Sequence, residues 1–195
     1  MVEINRWILT DLELAEWRSK QIADAEIRWA KAEDVELLVE FGDEAKVRKG
    51  LDLGHRAVVS VRDDRIRGWM WFATGFLDNH DWLRVVLDKE ECFVVEILVD
   101  PAFRQQGIGR GLAHFAYSEL NREGYRTAWG LIDALNQASL QTFKETNLGT
   151  GRVFYARLLG LTFLRIGGFM RFGTWGPERR LELRPKFIVS ECRNR

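Results

Sequence analysis

The chain has 195 residues, is 46% hydrophobic and carries 29 basic and 29 acidic side chains, so it is long enough for one α/β domain with a decorated end and a substantial core. The balanced charge argues against a general nucleic-acid binder. Two cysteines, Cys92 and Cys192, make neither a disulfide framework nor a CxxC metal site, and no secretory signal or long apolar stretch opens the chain; the expectation is a cytoplasmic protein with reduced thiols, no metal and no transmembrane segment.

Taken in order, residues 1–25 read as an amphipathic helical extension. Thr10 and Glu13 stand at capping-box spacing, and Ile8, Leu12, Ala15, Ser19 and Ile22 recur at helical spacing. The extension is expected to pack against the core or a second copy rather than a membrane, since its polar side mixes both charges instead of being strongly basic. Glu26-Ile27-Arg28-Trp29-Ala30 reads as a first strand. A helix follows, with Asp34 as its cap and Val35, Leu38 and Val39 or Phe41 facing inward. Val47, Leu51 and Leu53 mark either a second short helix or a solvent-facing loop. Arg56–Val61 and Ile66–Trp71 read as a hairpin turning at Arg62-Asp63-Asp64-Arg65. Asp78-Asn79-His80-Asp81 reads as a break, followed by an edge strand over Trp82–Leu87. One histidine beside two acids is not a zinc site, so His80 is read as a capping or surface residue. Eight tryptophans are many for this length and suit core packing, an aromatic pocket or an oligomer surface.

Residues 92–124 carry the densest signal. Phe93, Val94, Val95, Ile97, Leu98 and Val99 make a strand expected to be covered on both faces. Asp100-Pro101 ends it. Arg104-Gln105-Gln106-Gly107-Ile108-Gly109 then feeds a helix whose buried side is Leu112, Ala113, Ala116, Tyr117 and Leu120. A tight loop entering a helix presents free N–H groups and the positive end of the dipole, which suits a phosphate. Glu96 is the lone charge of the run and shares a face with Val94 and Leu98 if the strand is regular. A buried carboxylate is costly without a partner. Glu96 is therefore either an ion-paired or cleft-facing residue, or a general base beside the anion loop.

The order of strand, proline, Arg-x-x-Gly-x-Gly and helix, with Val99-Asp100-Pro101-Ala102-Phe103 leading in, resembles the acyl-CoA-binding core of the GNAT N-acetyltransferase family. The resemblance runs from Glu26 to about Phe172 and is strongest from Glu96 to Ser139. It implies an α/β fold with a mixed central sheet of about six or seven strands and flanking helices. The expected domain is 26–175, between the N-terminal extension and a charged tail at 176–195. It also implies acetyl-CoA, or another acyl-CoA, as cosubstrate. The pantetheine arm falls to main-chain atoms of Leu98 and Val99. The pyrophosphate falls to the loop of Arg104, Gln105, Gln106, Gly107, Ile108 and Gly109, with Arg110 nearby. In the family the region of the second short helix lies over the acceptor site.

After the loop helix, Thr127–Ile132 reads as the next core strand. Asn136-Gln137-Ala138-Ser139 resembles the family's last patch, with Asn136 capping a helix and lying near the cofactor arm, as does Ser139. Phe143 falls where many members carry the tyrosine that protonates the departing thiolate, and it has no hydroxyl. A second alignment restores a hydroxyl at Tyr155 but needs a long insertion. Val153–Leu158 and Leu161–Ile166 read as the last two strands, with Gly167-Gly168 permitting a bulge or close approach.

The implied reaction is direct acetyl transfer to a primary amine in a ternary complex. Glu96 takes the amine proton and Tyr155 is the candidate acid. Cys92 is read as strand core, not as an acyl carrier. The acceptor is an amine-bearing small molecule or a protein amine. Two alternatives stand beside it. One is transfer of a longer acyl group from CoA or from acyl carrier protein. The other is a non-catalytic acyl-CoA sensor. A homodimer is compatible with either.

Overall fold

The computed structural model describes residues 2–16, 26–143, 147–159, 161–167, 169–186 and 189, of which 2–4, 16, 79–80, 142 and 147–151 are described by their backbone alone. In chain order the strands and helices are β1 (Val2–Glu13), β2 (Glu26–Trp29), α1 (Val35–Phe41), α2 (Glu44–Asp52), β3 (Arg56–Arg62), β4 (Arg65–Thr74), β5 (Phe76–His80), β6 (Leu83–Val86), β7 (Glu91–Val99), α3 (Ile108–Arg122), β8 (Thr127–Asp133), α4 (Gln137–Thr142), β9 (Asn147–Leu158), β10 (Leu161–Ile166), β11 (Phe169–Thr174) and β12 (Leu181–Leu183). The fold is mixed α/β, and it divides into two compact units that interleave along the sequence.

One unit holds residues 13–74 and 92–128. Its strands run in the order β7-β4-β3-β2, antiparallel throughout. The β3–β4 hairpin closes through Asp63 and Asp64, with φ of 51° and 53°, the double left-handed turn that a two-residue hairpin favours. One sheet face carries Ala57, Val59, Val61, Ile66, Trp69 and Trp71 against Leu38 and Val47 of α1 and α2. The other receives α3. There a Cβ on Gly68 would stand 3.2 Å from Ile108 and 3.3 Å from Leu112, and Phe72 meets the Tyr117 ring edge-on at 6.2 Å. Asp43 caps α2 by accepting from the Lys46 N–H at 2.9 Å.

Two bulges set which side chains reach which face. Ser60 pairs with Gly68 and Val61 with Ile66, so Arg67 is an extra residue on β4. Ile66 thereby joins Trp69 on the α1–α2 face, which an unbroken alternation would forbid. Trp71 pairs with Glu96 and Phe72 with Val94, so Val95 is an extra residue on β7.

The other unit holds residues 1–12, 75–91 and 129–195. Here β11, β10, β9 and β1 follow one another antiparallel, with β8 next to β1; β12, β6 and β5 form a small second sheet in which β12 runs parallel to β6. Among the described residues, four strands in one unit and five in the other make nine core strands, against about six or seven expected. Tyr155 is fully buried, its ring 5.0 Å from Trp7 and 5.2 Å from Trp82.

Several expectations need correction. The first residues are a strand, not a helix: β1 pairs with β9 from Val2–Leu158 onward. The expected capping box is replaced by distant partners. Thr10 Oγ1 donates to the Gly130 carbonyl at 3.3 Å, and Glu13 accepts from Thr127 Oγ1 at 3.1 Å. Ser19 and Ile22 lie outside the described residues. The break expected at Asp78 is strand β5, because Phe76–His80 pairs with β6; the Asp78 carboxylate also accepts from Arg84 Nε at 2.7 Å and from Arg180 at 3.0 Å. Residues of the expected tail form β12, and the aromatic stretch after Gly167 forms β11. No described helix is long and apolar enough to cross a membrane.

The entry to α1 is held by a two-pronged ion pair. Arg28 donates to the Asp34 carboxylate at 2.6 and 2.9 Å, and the same carboxylate accepts the Lys31 N–H at 2.7 Å. The Arg28 hydrogen bond holds the Asp34 carboxyl below its ordinary value, against the opposing effect of burial. A depressed folded value means that the contribution is full above about pH 4 and is lost as pH falls through the folded value. Asp34→Asn is expected to cost about 2 kcal/mol at pH 7, since Arg28 loses a charged hydrogen-bond partner while keeping Glu26 and the Trp29 carbonyl. In urea unfolding, the gap to the wild type should close as pH drops below about 4. A gap that stays constant with pH would show that the charge of the Asp34 carboxylate is not what stabilises the fold.

Candidate active site

The candidate anion loop is shaped by bonds within the chain itself. Asp100 ends β7. Its N–H donates to the carbonyl of Arg67, the bulged residue of β4, at 2.9 Å, and its carboxylate accepts from the Ala102 N–H at 2.8 Å. Pro101–Phe103 forms one 3-10 turn, with Pro101 at the first position, where its missing N–H is harmless. The buried Arg67 guanidinium lies over the Phe103 ring, 4.9 Å from its centroid. Arg104 Nε donates to the Val99 carbonyl at 3.2 Å, so this arginine braces the loop as well as facing solvent.

Gln105 and Gly107 then take φ of 63° and 79°. Gly107 is the N-cap of α3, and its carbonyl accepts the first helical bond, from Gly111 N–H at 3.0 Å. The preceding N–H groups of the first turn have no place in the helix ladder. They sit at a loop whose Arg104, Gln105, Gln106 and Arg110 side chains are exposed, while Ile108 is buried against the sheet. This cradle fits a pyrophosphate: directed N–H donors, a dipole end, two guanidiniums and a glycine that keeps side-chain bulk away.

Glu96 lies on the same strand, two residues before Leu98. The bulge at Val95 puts Glu96 and Leu98 on the α1–α2 face with Trp71 and Trp69, their register partners, and Val94 on the α3 face. The regular alternation expected for Val94, Glu96 and Leu98 therefore fails. The expected burial fails too: Glu96 is exposed and Val95 is 39% exposed, because the bulged half of β7 is not covered on both faces. The Glu96 carboxylate accepts a hydrogen bond from Trp69 Nε1 at 3.1 Å. On the same face a groove of about 430 Å³ opens beside Phe41, Leu98 and Pro101. Glu40, Asp64, Asp100, Arg65 and Arg104 line it with both signs of charge, so it does not select by charge alone.

The remaining site candidates belong to the other unit. Asn136 caps α4, its side chain accepting from the Ser139 N–H at 3.0 Å. Phe143 follows α4 and is buried. Tyr155 lies within β9, and its hydroxyl accepts from Asn5 Nδ2 at 2.6 Å. Within one unit the structure thus brings together Glu96, Leu98, Val99, Arg104 and the loop to Arg110. Asn136, Ser139, Phe143 and Tyr155 sit in the second. Sequence reasoning missed Trp69, Arg67 and Gly42. The only available signal was the Trp-x-Trp spacing, which puts Trp69 and Trp71 on one face.

A model of the acetyltransferase (GNAT) family matches residues 26–149, and the chain belongs to that family. A curated relative, the ribosomal protein bS18-alanine N-acetyltransferase of Escherichia coli K12, is 36% identical over 62 residues, which cover 32% of this chain and 40% of the relative. The match therefore spans less than half the length of that relative. Among solved structures, a Drosophila protein aligns over 82% of this chain and 52% of its own, at 17% identity and a TM-score of 0.54. The E. coli ribosomal-protein-S18-alanine N-acetyltransferase aligns over 62% of this chain and 75% of its own, at 16% identity and a TM-score of 0.50. AAC(6')-Iy in complex with a bisubstrate analogue of CoA aligns over 63% and 89%, at 17% identity and a TM-score of 0.50. These structures share the fold.

The cradle yields a charge-specific test. Asp and Asn are near-isosteric and both tolerate a left-handed backbone, so Gly107→Asp and Gly107→Asn differ mainly in charge. Calorimetry with CoA should find Gly107→Asp at least about tenfold weaker than Gly107→Asn, a gap that narrows at high salt. Equal affinities in two variants of equal melting temperature would remove the loop as the phosphate site.

Proposed function

We propose that this chain is an acyl-CoA-dependent N-acyltransferase that moves an acetyl group from acetyl-CoA to a primary amine in a direct ternary complex. The observation that carries the reading is an exposed, hydrogen-bonded Glu96 on a strand that leads, five residues beyond its end at Val99, into an anion cradle. Family membership and the shared fold support it. The acceptor is proposed as a small-molecule or protein amine. The similarity to an alanine N-acetyltransferase supports including N-terminal peptides in any acceptor screen.

In this reading the loop from Arg104 to Arg110 binds the pyrophosphate, and main-chain groups of Leu98 and Val99 orient the arm. Asn136, Ser139 and Phe143 are assigned to cofactor contact by the family resemblance alone. Glu96 accepts the proton as the amine nitrogen bonds to the thioester carbon. A backbone N–H at the Leu98–Val99 edge receives the developing oxyanion. As the carbon–sulfur bond breaks, the thiolate takes a proton. Tyr155 is the candidate donor, with water in that role if Phe143 marks the family position. The burial of Tyr155 and its bond to Asn5 give its hydroxyl a structural role that is independent of catalysis.

Glu96→Gln should keep CoA affinity and the melting temperature while lowering transfer about 10²–10⁴-fold, most of all at pH values where the acceptor is protonated. A melting temperature lowered in step with activity would instead make Glu96 a structural residue. Tyr155→Phe should leave CoA affinity unchanged, and a kcat loss there would assign the acid to Tyr155. The same assay, run with acetyl-, hexanoyl- and longer thioesters, reads the acyl length. The absence of amine-dependent thiol release across broad amine pools, despite tight CoA binding, would favour the sensor.

A further inference from the structure

Within the proposed site, Trp69 is a group that holds Glu96. Trp69 is 2% exposed, and its indole N–H donates to Glu96 Oε2 at 3.1 Å. Its ring is fixed from two sides: Phe41 meets it edge-on at 5.0 Å and Trp71 at 5.9 Å, with interplanar angles of 76° and 87°. A third constraint comes from the end of α1. Gly42 has an extended backbone, φ −134° and ψ −159°, which any residue can adopt. Yet a Cβ at Gly42 would land in the outer ring of Trp69. Glycine is required here by the indole and not by the local backbone.

We infer that Trp69 is the positioning residue for the Glu96 carboxylate, and that Gly42 at the α1 terminus keeps Trp69 in place. The inference rests on Glu96 being the base. An exposed carboxylate without a rigid donor samples several rotamers. A buried indole N–H anchors one oxygen and leaves the other to take the amine proton. Indole nitrogen is a donor only, so Trp69 cannot compete for that proton. Trp69 thus acts through Glu96 and touches no reacting atom. Its seat between Phe41 and Gly42 also ties the carboxylate to the α1–α2 corner, so a shift of that corner would be felt at the base.

The test is a double-mutant cycle on the full-length protein, with circular dichroism and melts on every variant. Trp69→Phe keeps an aromatic ring and removes the N–H. It should lower kcat about tenfold or more while leaving KM for acetyl-CoA within about twofold, as expected for a lost hydrogen bond to a charged group. In a Glu96→Gln background the same change should add about twofold at most, because the group it positions is gone. A merely structural role for Trp69 would multiply the two losses and overturn the inference, as would a folded Trp69→Phe of wild-type kcat. A Glu96→Gln of wild-type rate would sink the general-base reading itself, and this inference with it. If Trp69→Phe does not fold, Gly42→Ala is the substitute, since it displaces the ring and leaves the N–H. It should reproduce the selective kcat loss, and a folded Gly42→Ala with unchanged kcat would overturn the inference.

Discussion

The site depends on one extra residue in β7. Register on either side of Val95 differs by one, and side chains in a strand alternate with a period of two. Without the bulge, Glu96 and Val94 would share a face, and pairing in step along β4 would bring a different set of side chains opposite the tryptophans. With it, Glu96 stands beside Trp71 and Trp69 on the face served by α1 and α2. The bulge also leaves this half of the strand less covered. That is why a carboxylate in an apolar run is exposed and hydrogen-bonded here instead of buried and ion-paired.

A second bulge, at Arg67, serves the other end of the same strand pair. The extra residue offers its carbonyl to Asp100, the residue at which β7 stops, and its guanidinium to Phe103 of the next turn. The loop is thus tied to the sheet before it reaches Gln105 and Gly107, whose left-handed geometry turns the chain into α3. In the proposed reading, binding sits in backbone conformation and proton chemistry in one side chain, and each has its own bulge. Bulges are suited to this because they change the aim of a strand without removing it from the sheet.

The second unit is held by different means. Its small sheet gathers chain segments far apart in sequence, and Asp78 accepts from two arginines, Arg84 and Arg180, one of them 102 residues away. Its main sheet buries Tyr155 between Trp7 and Trp82 and leaves Met170 and Phe172 of β11 57% and 68% exposed. The aromatic richness that stood out in the sequence is therefore divided. Trp69 and Trp71 serve the face of Glu96, Trp7 and Trp82 pack around Tyr155, and Phe172 faces solvent.

Much of the first unit was legible from local signals. The strands from Glu26, Arg56 and Ile66, the Asp63-Asp64 turn, the α1 and α2 helices and the whole stretch from β7 to α3 follow from patterning and turn chemistry that act within a few residues. The Arg-x-x-Gly-x-Gly loop was legible for the same reason, because left-handed positions and helix starts demand particular residues locally. The opposite faces of Val94 and Glu96, the exposure of Glu96, and its bond to Trp69 were not. A bulge is a property of two strands in register, and one strand's sequence does not contain it. Residues 2–13 show the same limit from the other side: their helical spacing is real, but β1 forms because pairing with β9, some 150 residues away, satisfies its backbone and stacks Trp7 on Tyr155. Local propensity yields where long-range pairing satisfies more of the chain. The sequence by itself determined the anion loop and its helix. The tertiary structure alone decided where the carboxylate points and what holds it there.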